Sequence, residues 1–462
     1  MAHANSEIKD KIIIEAPPPV EEMYWNKAIE TMPREELLAF QWQLLKEQVK
    51  YVYENSRFYR KKMKAAGIAP DDITSIEDFK RRIPIVVKED IRADIEESGD
   101  IFGGTVCVPL EKLMYFAPST GTSGQPTQTA ITREDLDFVS ESIARQFWSF
   151  GLRPGDFCSA FDVANHPGAP TMFSGFAKVG LPYIRLGLGT VFQEMELERW
   201  TQAMQKLPIK SAWVPFSMLW TFREYIEGKG LSPKDTLGKT KCIFTSGDLV
   251  TPTMRKVLED YWGTKLHEVQ VSADIMFGFY TCEFCNGLHV PEDLFVIEVV
   301  DVETGEPVAM GEPGFLIVTP TWQEGTCHLR WNTEDIVHMS DEPCECGRTH
   351  ARIWFHGRQA YIVNVRGQDI LPHMIEDELL QVPEIEMRGF VSQLVKTSPK
   401  TQDELIVRTA YYEDKVKDIT ELKNRVEGRL KARFSVPVEV EFMEPQEVAL
   451  VLHKVQRIVE RY

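Results

Sequence analysis

Two stretches of this chain concentrate side chains able to do chemistry. Between Tyr115 and Ile131 the sequence reads YFAPSTGTSGQPTQTAI, with two glycines and six Ser or Thr hydroxyls in seventeen residues. Small residues let backbone N–H groups converge on an anion, and hydroxyls add donors, so STGTSGQPT at 119–127 has the chemistry of a seat for phosphate groups. The plainer alternative is a solvated turn in which Gly121, Gly124 and Pro126 merely interrupt regular structure. A Walker-type loop ends in Gly-Lys-Ser/Thr, whereas Gly124 is followed here by Gln125 and Pro126. LGLGT at 186–190 lacks the spacing of a dinucleotide-binding fingerprint.

The second stretch is a scatter of thiols. Of eight cysteines, four form close pairs, Cys282 with Cys285 and Cys344 with Cys346. With His289 they give a Cys-x6-His…Cys-x-Cys set of Cys282, His289, Cys344 and Cys346. Thiolates and an imidazole at tetrahedral reach suit zinc. The competing reading is buried free cysteines packing as small hydrophobes. Cys285 is an extra candidate in place of Cys282 or His289, and His350 is expected outside the ligand set or at the surface. Four protein ligands leave no open position, so such a metal would be structural.

These groups need elements to position them. A length of 462 residues exceeds one compact core, so two domains are expected. With 43% apolar and 26% charged residues the composition is that of a soluble globular protein. A net charge of −18 repels a phosphate backbone and argues against nucleic-acid binding. The N-terminal MAHANSEIKDKIIIEAPPPVEE has a three-residue apolar run, unlike a secretory leader. No stretch approaches the roughly eighteen apolar residues of a membrane span, so the cytoplasm is the expected compartment.

A helix is expected from Pro33, with Thr31 near enough to cap it and Leu38, Leu45, Val49 and Val52 at helical spacing. Helical patterns alternating with short apolar runs such as CIFTSGD (242–248) indicate α/β layers. DLFVIEVVD (293–301) and GFLIVTP (314–320) read as paired strands around a turn. After residue 358 a strand (404–412), an amphipathic helix (416–434) and another strand (438–443) indicate a small α+β domain.

STGTSGQPT resembles the Ser/Thr-Gly-rich loop of adenylate-forming enzymes. The likeness continues, in order, through YWNKAIETMPREELLAFQWQLLKEQVKYVYENSRFYRKKM, GLHVPEDLFVIEVVDVETGEP, RWNTEDI, CECGRTHARI and GRQAYIVNVRGQDILPHMIE, and it is to the phenylacetate–CoA ligase family, from about residue 22 to the end. The resemblance implies an α/β fold: a large multi-layer N-terminal adenylation domain (1–358) and a small mobile α+β C-terminal domain (359–462). It implies ATP-dependent activation of an aromatic carboxylic acid, with coenzyme A displacing AMP, and a place in aromatic-acid degradation. A homodimer is left open. Physically, the first step brings two anions together and needs cations and donors aimed at phosphorus.

Residue by residue, the resemblance assigns Thr120, Gly121, Thr122, Ser123 and Gly124 to the β- and γ-phosphates. Ser246, Gly247 and Asp248 of TSGD would border adenine. Asp335 in RWNTEDI would take the ribose hydroxyls, and Arg358 would lie by the ribose and α-phosphate, with Arg330 nearby. Lys454 would be the adenylation lysine, a point cation on a flexible stem. Cys282, His289, Cys344 and Cys346 match a zinc-type pattern of the family.

The chain also departs from the family. Its loop lysine is Gln125, its glycine-rich approach to the lysine is VALVLH, and its hinge aspartate is missing at Ala360 and Tyr361. The aromatic-Gly-x-Thr-Glu segment aligns with QVSAD (270–274), so Asp274 would replace the glutamate as a magnesium ligand and catalytic group, and Gln270 cannot stack on adenine. Residues 161–189 and 214–222 would wall an aromatic-acid pocket, or else be ordinary core. Alternatives are an adenylating enzyme with a non-CoA acceptor and a catalytically silent zinc-containing binding protein.

Overall fold

Two glutamates open the helix Arg34–Asn55, where the positive end of the helix dipole favours them. Pro33 occupies the cap position with extended dihedrals (φ −54°, ψ 141°). Thr31 does not cap this helix: it closes the short helix Lys27–Glu30, and its hydroxyl donates to Lys27 O at 2.7 Å. The buried stripe is Leu37, Phe40, Gln41, Leu44, Leu45, Gln48, Val49 and Val52, whereas Leu38 is 42% exposed. Two amides sit inside that stripe because buried carbonyls need donors. Gln41 Nε2 donates to Glu292 O and Phe295 O at 2.9 and 2.8 Å, and Gln48 Nε2 donates to Gln323 O at 2.8 Å.

The computed structural model describes residues 6–118, 126–163, 168–188, 193–216, 218–237, 239–301, 303–386, 391–443, 450–451 and 454–462. The chain divides into two units. The first comprises Met1–Leu188, Ile209–Ser211 and His267–Trp354. It contains strands in the order Phe295–Val300, Gly314–Pro320, Trp331–Ser340, Arg352–Arg358 (as far as Trp354), Leu288–His289, Phe277–Tyr280 and Lys265–Ser272 (from His267). It also holds the parallel pair Phe157–Val163 and Tyr183–Leu188 and the antiparallel pair Leu113–Pro118 and Gln128–Thr132. The strands Phe295–Val300 and Gly314–Pro320 are buried along their whole length, as expected for a sheet with both faces covered.

The helix Arg133–Ser149 of this unit starts with a reciprocal cap between Thr132 and Asp135. Asp135 also accepts from Glu324 N and Gly325 N at 2.7 and 2.9 Å. Burial nevertheless pushes its carboxyl up to about 6. On the same helix Arg145 pairs with Asp293 at 2.8 Å, both fully buried.

The second unit comprises Gly189–Pro208, Ala212–Leu266 and Phe355–Tyr462. Its first part carries the helices Gln193–Lys206, Met218–Gly228 and Pro252–Trp262 and the strand Cys242–Thr245. Its C-terminal part builds a sheet in the order Ile385–Glu386, Leu405–Tyr411, Gln393–Lys396, Ile458–Glu460, with Val438–Phe442 also paired to Leu405–Tyr411. The helices Pro372–Leu379 and Ile419–Phe434 accompany it. The strand–helix–strand order expected after residue 358 is present, within a few residues of its expected bounds.

Candidate functional site

Strand pairing assembles the cysteine set. Tyr280 lies opposite His289, and His289 opposite Arg352. Cys282 follows the first of these strands, and Cys344 and Cys346 precede the last. The Asn286–Gly287 turn between them places Gly287 at φ +80°, where an added Cβ would sit 2.7 Å from the Trp354 ring, so glycine is required there. One ligand atom from each of Cys282, His289, Cys344 and Cys346 falls within 4.8 Å of all the others, and all four residues are buried. Cys282 Sγ lies 3.7 Å from Cys344 Sγ, and Cys346 Sγ lies 3.4 Å from His289 Nε2. Tetrahedral zinc with Zn–S near 2.3 Å places its sulfurs about 3.8 Å apart, so the donor set and its spacing fit that ion. Nδ1 of His289 is buried without a partner.

The electrostatics point the same way. The hydrogen bond from Cys282, then His289 and the Arg348 charge, hold the Cys346 thiol well below its ordinary range. That bond and burial push Cys282 up. Arg348 is anchored by Glu30 at 2.7 Å. Cys285 lies outside the group: its sulfur is 3.8 Å from His267 Nδ1 and 3.3 Å from Cys282 O. His350 is not a surface group. It is buried, with Nε2 3.0 Å from Ile29 O and Nδ1 accepting from Glu292 N at 3.0 Å.

A second buried constellation surrounds Asp274, in the turn after Lys265–Ser272. Asp274 is 6% exposed. Thr127, the last residue of STGTSGQPT, donates to its Oδ1 at 3.0 Å, and Thr129 donates to its backbone carbonyl at 3.4 Å. Lys88 Nζ lies 3.4 Å from Oδ2, both side chains being buried. Close by, burial pushes the His328 imidazole down to about 4, with the Asp274 charge pulling the other way. Asp274 thus does lie at the downstream end of the small-residue loop. Thr120, Gly121, Thr122, Ser123 and Gly124, like Gln125, lie outside the described residues.

Sequence reasoning missed Lys88. A signal was present: a lysine at the first position of a helix (Lys88–Ser98) opposes the dipole and needs a partner elsewhere. Arg330 belongs to the core. Its guanidinium donates to both oxygens of Glu298 at 2.9 Å and to Ile83 O at 2.6 Å.

The remaining assigned residues are placed within their own units. Asp335, half-buried in the strand Trp331–Ser340, donates its backbone N–H to Thr333 Oγ1 at 3.2 Å. In the second unit, Ser246 Oγ accepts from Trp213 Nε1 at 3.2 Å, Gly247 takes φ +93°, and Asp248 Oδ2 accepts from Arg457 at 2.6 Å. Arg358 ends the strand Arg352–Arg358. Lys454 begins the strand Lys454–Val455, paired with Leu450–Val451.

Comparison with known proteins places this geometry. Residues 367–461 match the model of the AMP-binding enzyme C-terminal domain. A phenylacetate–coenzyme A ligase of Thermus thermophilus is 30% identical over 368 residues, 79% of each chain. The chain belongs to the phenylacetate–CoA ligase family. An Escherichia coli phenylacetate–coenzyme A ligase is 27% identical over 413 residues, 87% of this chain and 90% of its own. In fold, this family member is similar to a 2-hydroxyisobutyryl-CoA ligase crystallised in the postadenylation state with its acyl-AMP: TM-score 0.89, 24% identity, 97% of this chain and 94% of the other.

The two stretches expected to wall an acid pocket behave differently in this member of the phenylacetate–CoA ligase family. Phe216, Trp220 and Phe222 are 1%, 3% and 0% exposed, and Phe222 stacks on Trp262, so these three side chains of 214–222 pack as core. Around the other stretch, Phe173 stacks on Tyr183 at 5.0 Å and carries the Arg185 guanidinium 4.5 Å above its ring. Tyr183 is 37% exposed. Of 161–189, residues 164–167 and 189 lie outside the described residues.

Proposed function

We propose that this chain is an AMP-forming ligase that adenylates an aromatic carboxylic acid of the phenylacetate, indoleacetate or benzoate type and transfers the acyl group to coenzyme A. The observation that carries the reading is the 30% identity over 79% of the chain with a phenylacetate–coenzyme A ligase. In the first half-reaction a carboxylate oxygen attacks the α-phosphorus of ATP and pyrophosphate leaves. In the second, the thiolate of coenzyme A attacks the acyl carbon and AMP leaves.

The residues divide this work. Backbone N–H groups and hydroxyls of Thr120–Gly124 hold the β- and γ-phosphates. Ser246 and Gly247 border the base, Asp335 accepts from the ribose hydroxyls, and Arg358 lies by the α-phosphate. Lys454 bridges the attacking carboxylate and the α-phosphate, lowering their mutual repulsion where charge develops. Asp274 would hold magnesium, which supplies charge neutralisation for the pyrophosphate. Its contact with Thr127 and its 6% exposure support that role, and Lys88 supplies a positive charge beside Asp274 in a chain whose loop lysine is replaced by Gln125.

Cys282, His289, Cys344 and Cys346 would hold zinc, closed to substrate, tying Cys282 and the strand Leu288–His289 to the loop before Arg352–Arg358. The domain boundary falls at residues 358–359, within the segment 356–367, and the C-terminal part changes position between half-reactions. The protein is a soluble cytoplasmic enzyme that needs no nucleic acid.

Pyrophosphate release measured across a panel of aromatic acids, with and without coenzyme A, tests this. Release that depends on one acid class, with thioester formed when coenzyme A is present, is expected. Release without any thioester moves the acceptor to another thiol or an amine, and no release with any acid overturns the reading. Lys454→Ala is expected to slow adenylation about 10²–10³-fold, with a far smaller effect on thioester formation from supplied acyl-adenylate. Equal loss in both steps contradicts its role.

A further inference from the structure

A buried arginine near the C-terminus links two parts of the second unit. Arg457 is 4% exposed. Its Nη2 donates to Asp248 Oδ2 at 2.6 Å, and its Nη1 donates to Glu376, 2% exposed on the helix Pro372–Leu379. The surrounding backbone is fixed as well. Leu394 N donates to Arg457 O at 2.9 Å, Gln393 Nε2 donates to Gln456 O at 2.8 Å, and Ile458–Glu460 runs parallel to Gln393–Lys396.

The two carboxylates are not equivalent. Glu376 is as buried as the arginine and belongs to the same C-terminal part. Asp248 comes from 209 residues upstream, and its side chain is 23% exposed. If Asp248 moves away, water can solvate it and Arg457 keeps Glu376, so neither charge is left buried and unpaired. That asymmetry is what a contact made and broken in turn requires. Asp248 also closes the TSGD segment, where Gly247 turns the chain at φ +93°. Lys454 is three residues before Arg457, at most about 10 Å along the backbone.

We propose that Arg457 is a positioning residue for adenylation: its ion pair with Asp248 latches the tail carrying Lys454 to the TSGD segment in the first half-reaction and opens for the second. This deepens the adenylation reading above and rests on it. Arg457 touches no reacting atom, and its effect is confined to the step that uses Lys454. Its planar fork reaches both carboxylates at once, which the point charge of a lysine does not.

The test uses the full-length protein and a substrate acid found with the wild type. Acid-dependent pyrophosphate exchange reads the first step, and thioester formation from supplied acyl-adenylate reads the second. Arg457→Gln is expected to lower exchange at least about tenfold and thioester formation less than about threefold, with Arg457→Lys between it and the wild type. Asp248→Asn, which leaves Glu376 in place, should lower exchange in the same direction and decides the matter should Arg457→Gln not fold. Equal losses in both steps, or exchange at the wild-type rate in Asp248→Asn, overturn the latch. A wild type without exchange for any acid instead removes the adenylation reading itself, so the two failures are distinguishable.

Discussion

The cysteine cluster and the Asp274 site are both buried polar constellations of the first unit, built on opposite principles. In the cluster, three sulfurs and an imidazole converge within 4.8 Å, and no carboxylate or lysine stands among them. Such a donor set suits an added cation. At Asp274 the protein already supplies the balance, with Lys88 on one oxygen and Thr127 on the other. On the zinc proposal, the first arrangement would gain stability by taking up an ion. The second is satisfied at rest, so a cation arriving there must displace an internal partner. The contrast separates a donor set suited to a structural ion from a carboxylate that is paired internally.

The largest effect expected from breaking this contrast is at the cluster. Cys344→Ser, or extraction with a strong chelator, should destabilise the protein by about 5 kcal/mol or more, read as a fall in melting temperature together with loss of one equivalent of zinc by elemental analysis. A metal-free preparation with an unchanged melting temperature would remove the zinc assignment.

Next comes the internal pair. Lys88→Met strands the Asp274 carboxylate in a dry site and should cost about 3 kcal/mol. Adding Asp274→Asn should recover part of that loss, giving a coupling of about 1 kcal/mol or more in a denaturation cycle. Strict additivity would mean that the two side chains do not support each other.

The smallest expected effect reads the burial of a single titratable ring in the second unit. Burial, aided by His356 and Arg457 and opposed by Asp377, pushes His373 from 6.5 down to about 4. Between those values the unfolded chain binds the extra proton, so this stability is complete above pH 6.5 and is lost as pH falls towards 4. The loss is about 1 kcal/mol by pH 5.5. Asp135, raised to about 6, works in the opposite sense over part of the range, so the measurement is the difference between wild type and His373→Asn. A difference that stays constant between pH 7.5 and 5.5 would refute it.

Much of this was legible because it is local or carried by residue type. Strand periodicity located Gly314–Pro320 and Phe295–Val300, and thiol spacing picked out Cys282, His289, Cys344 and Cys346, which the fold brings within 4.8 Å of one another. Thiols and imidazole are scarce and chemically committed, so type alone narrows the choice. Lysine is common and usually solvated, and nothing near Lys88 in sequence shows that tertiary packing carries it to Asp274. The phase of the helix Arg34–Asn55 was misjudged at Leu38 for a related reason. Counting only apolar residues leaves out Gln41 and Gln48, whose amides are buried because carbonyls of distant segments require them.

The path of the chain through its two units carries a consequence for synthesis. The first unit recruits His267–Trp354 only after the chain has passed through all of the first part of the second. The segment Met1–Leu188 is therefore made before the remaining strands of its own unit, and contacts of such long sequence separation form slowly. Until Trp354 emerges, the apolar faces of the nascent first unit stay uncovered, and that interval is when the chain is most exposed to aggregation.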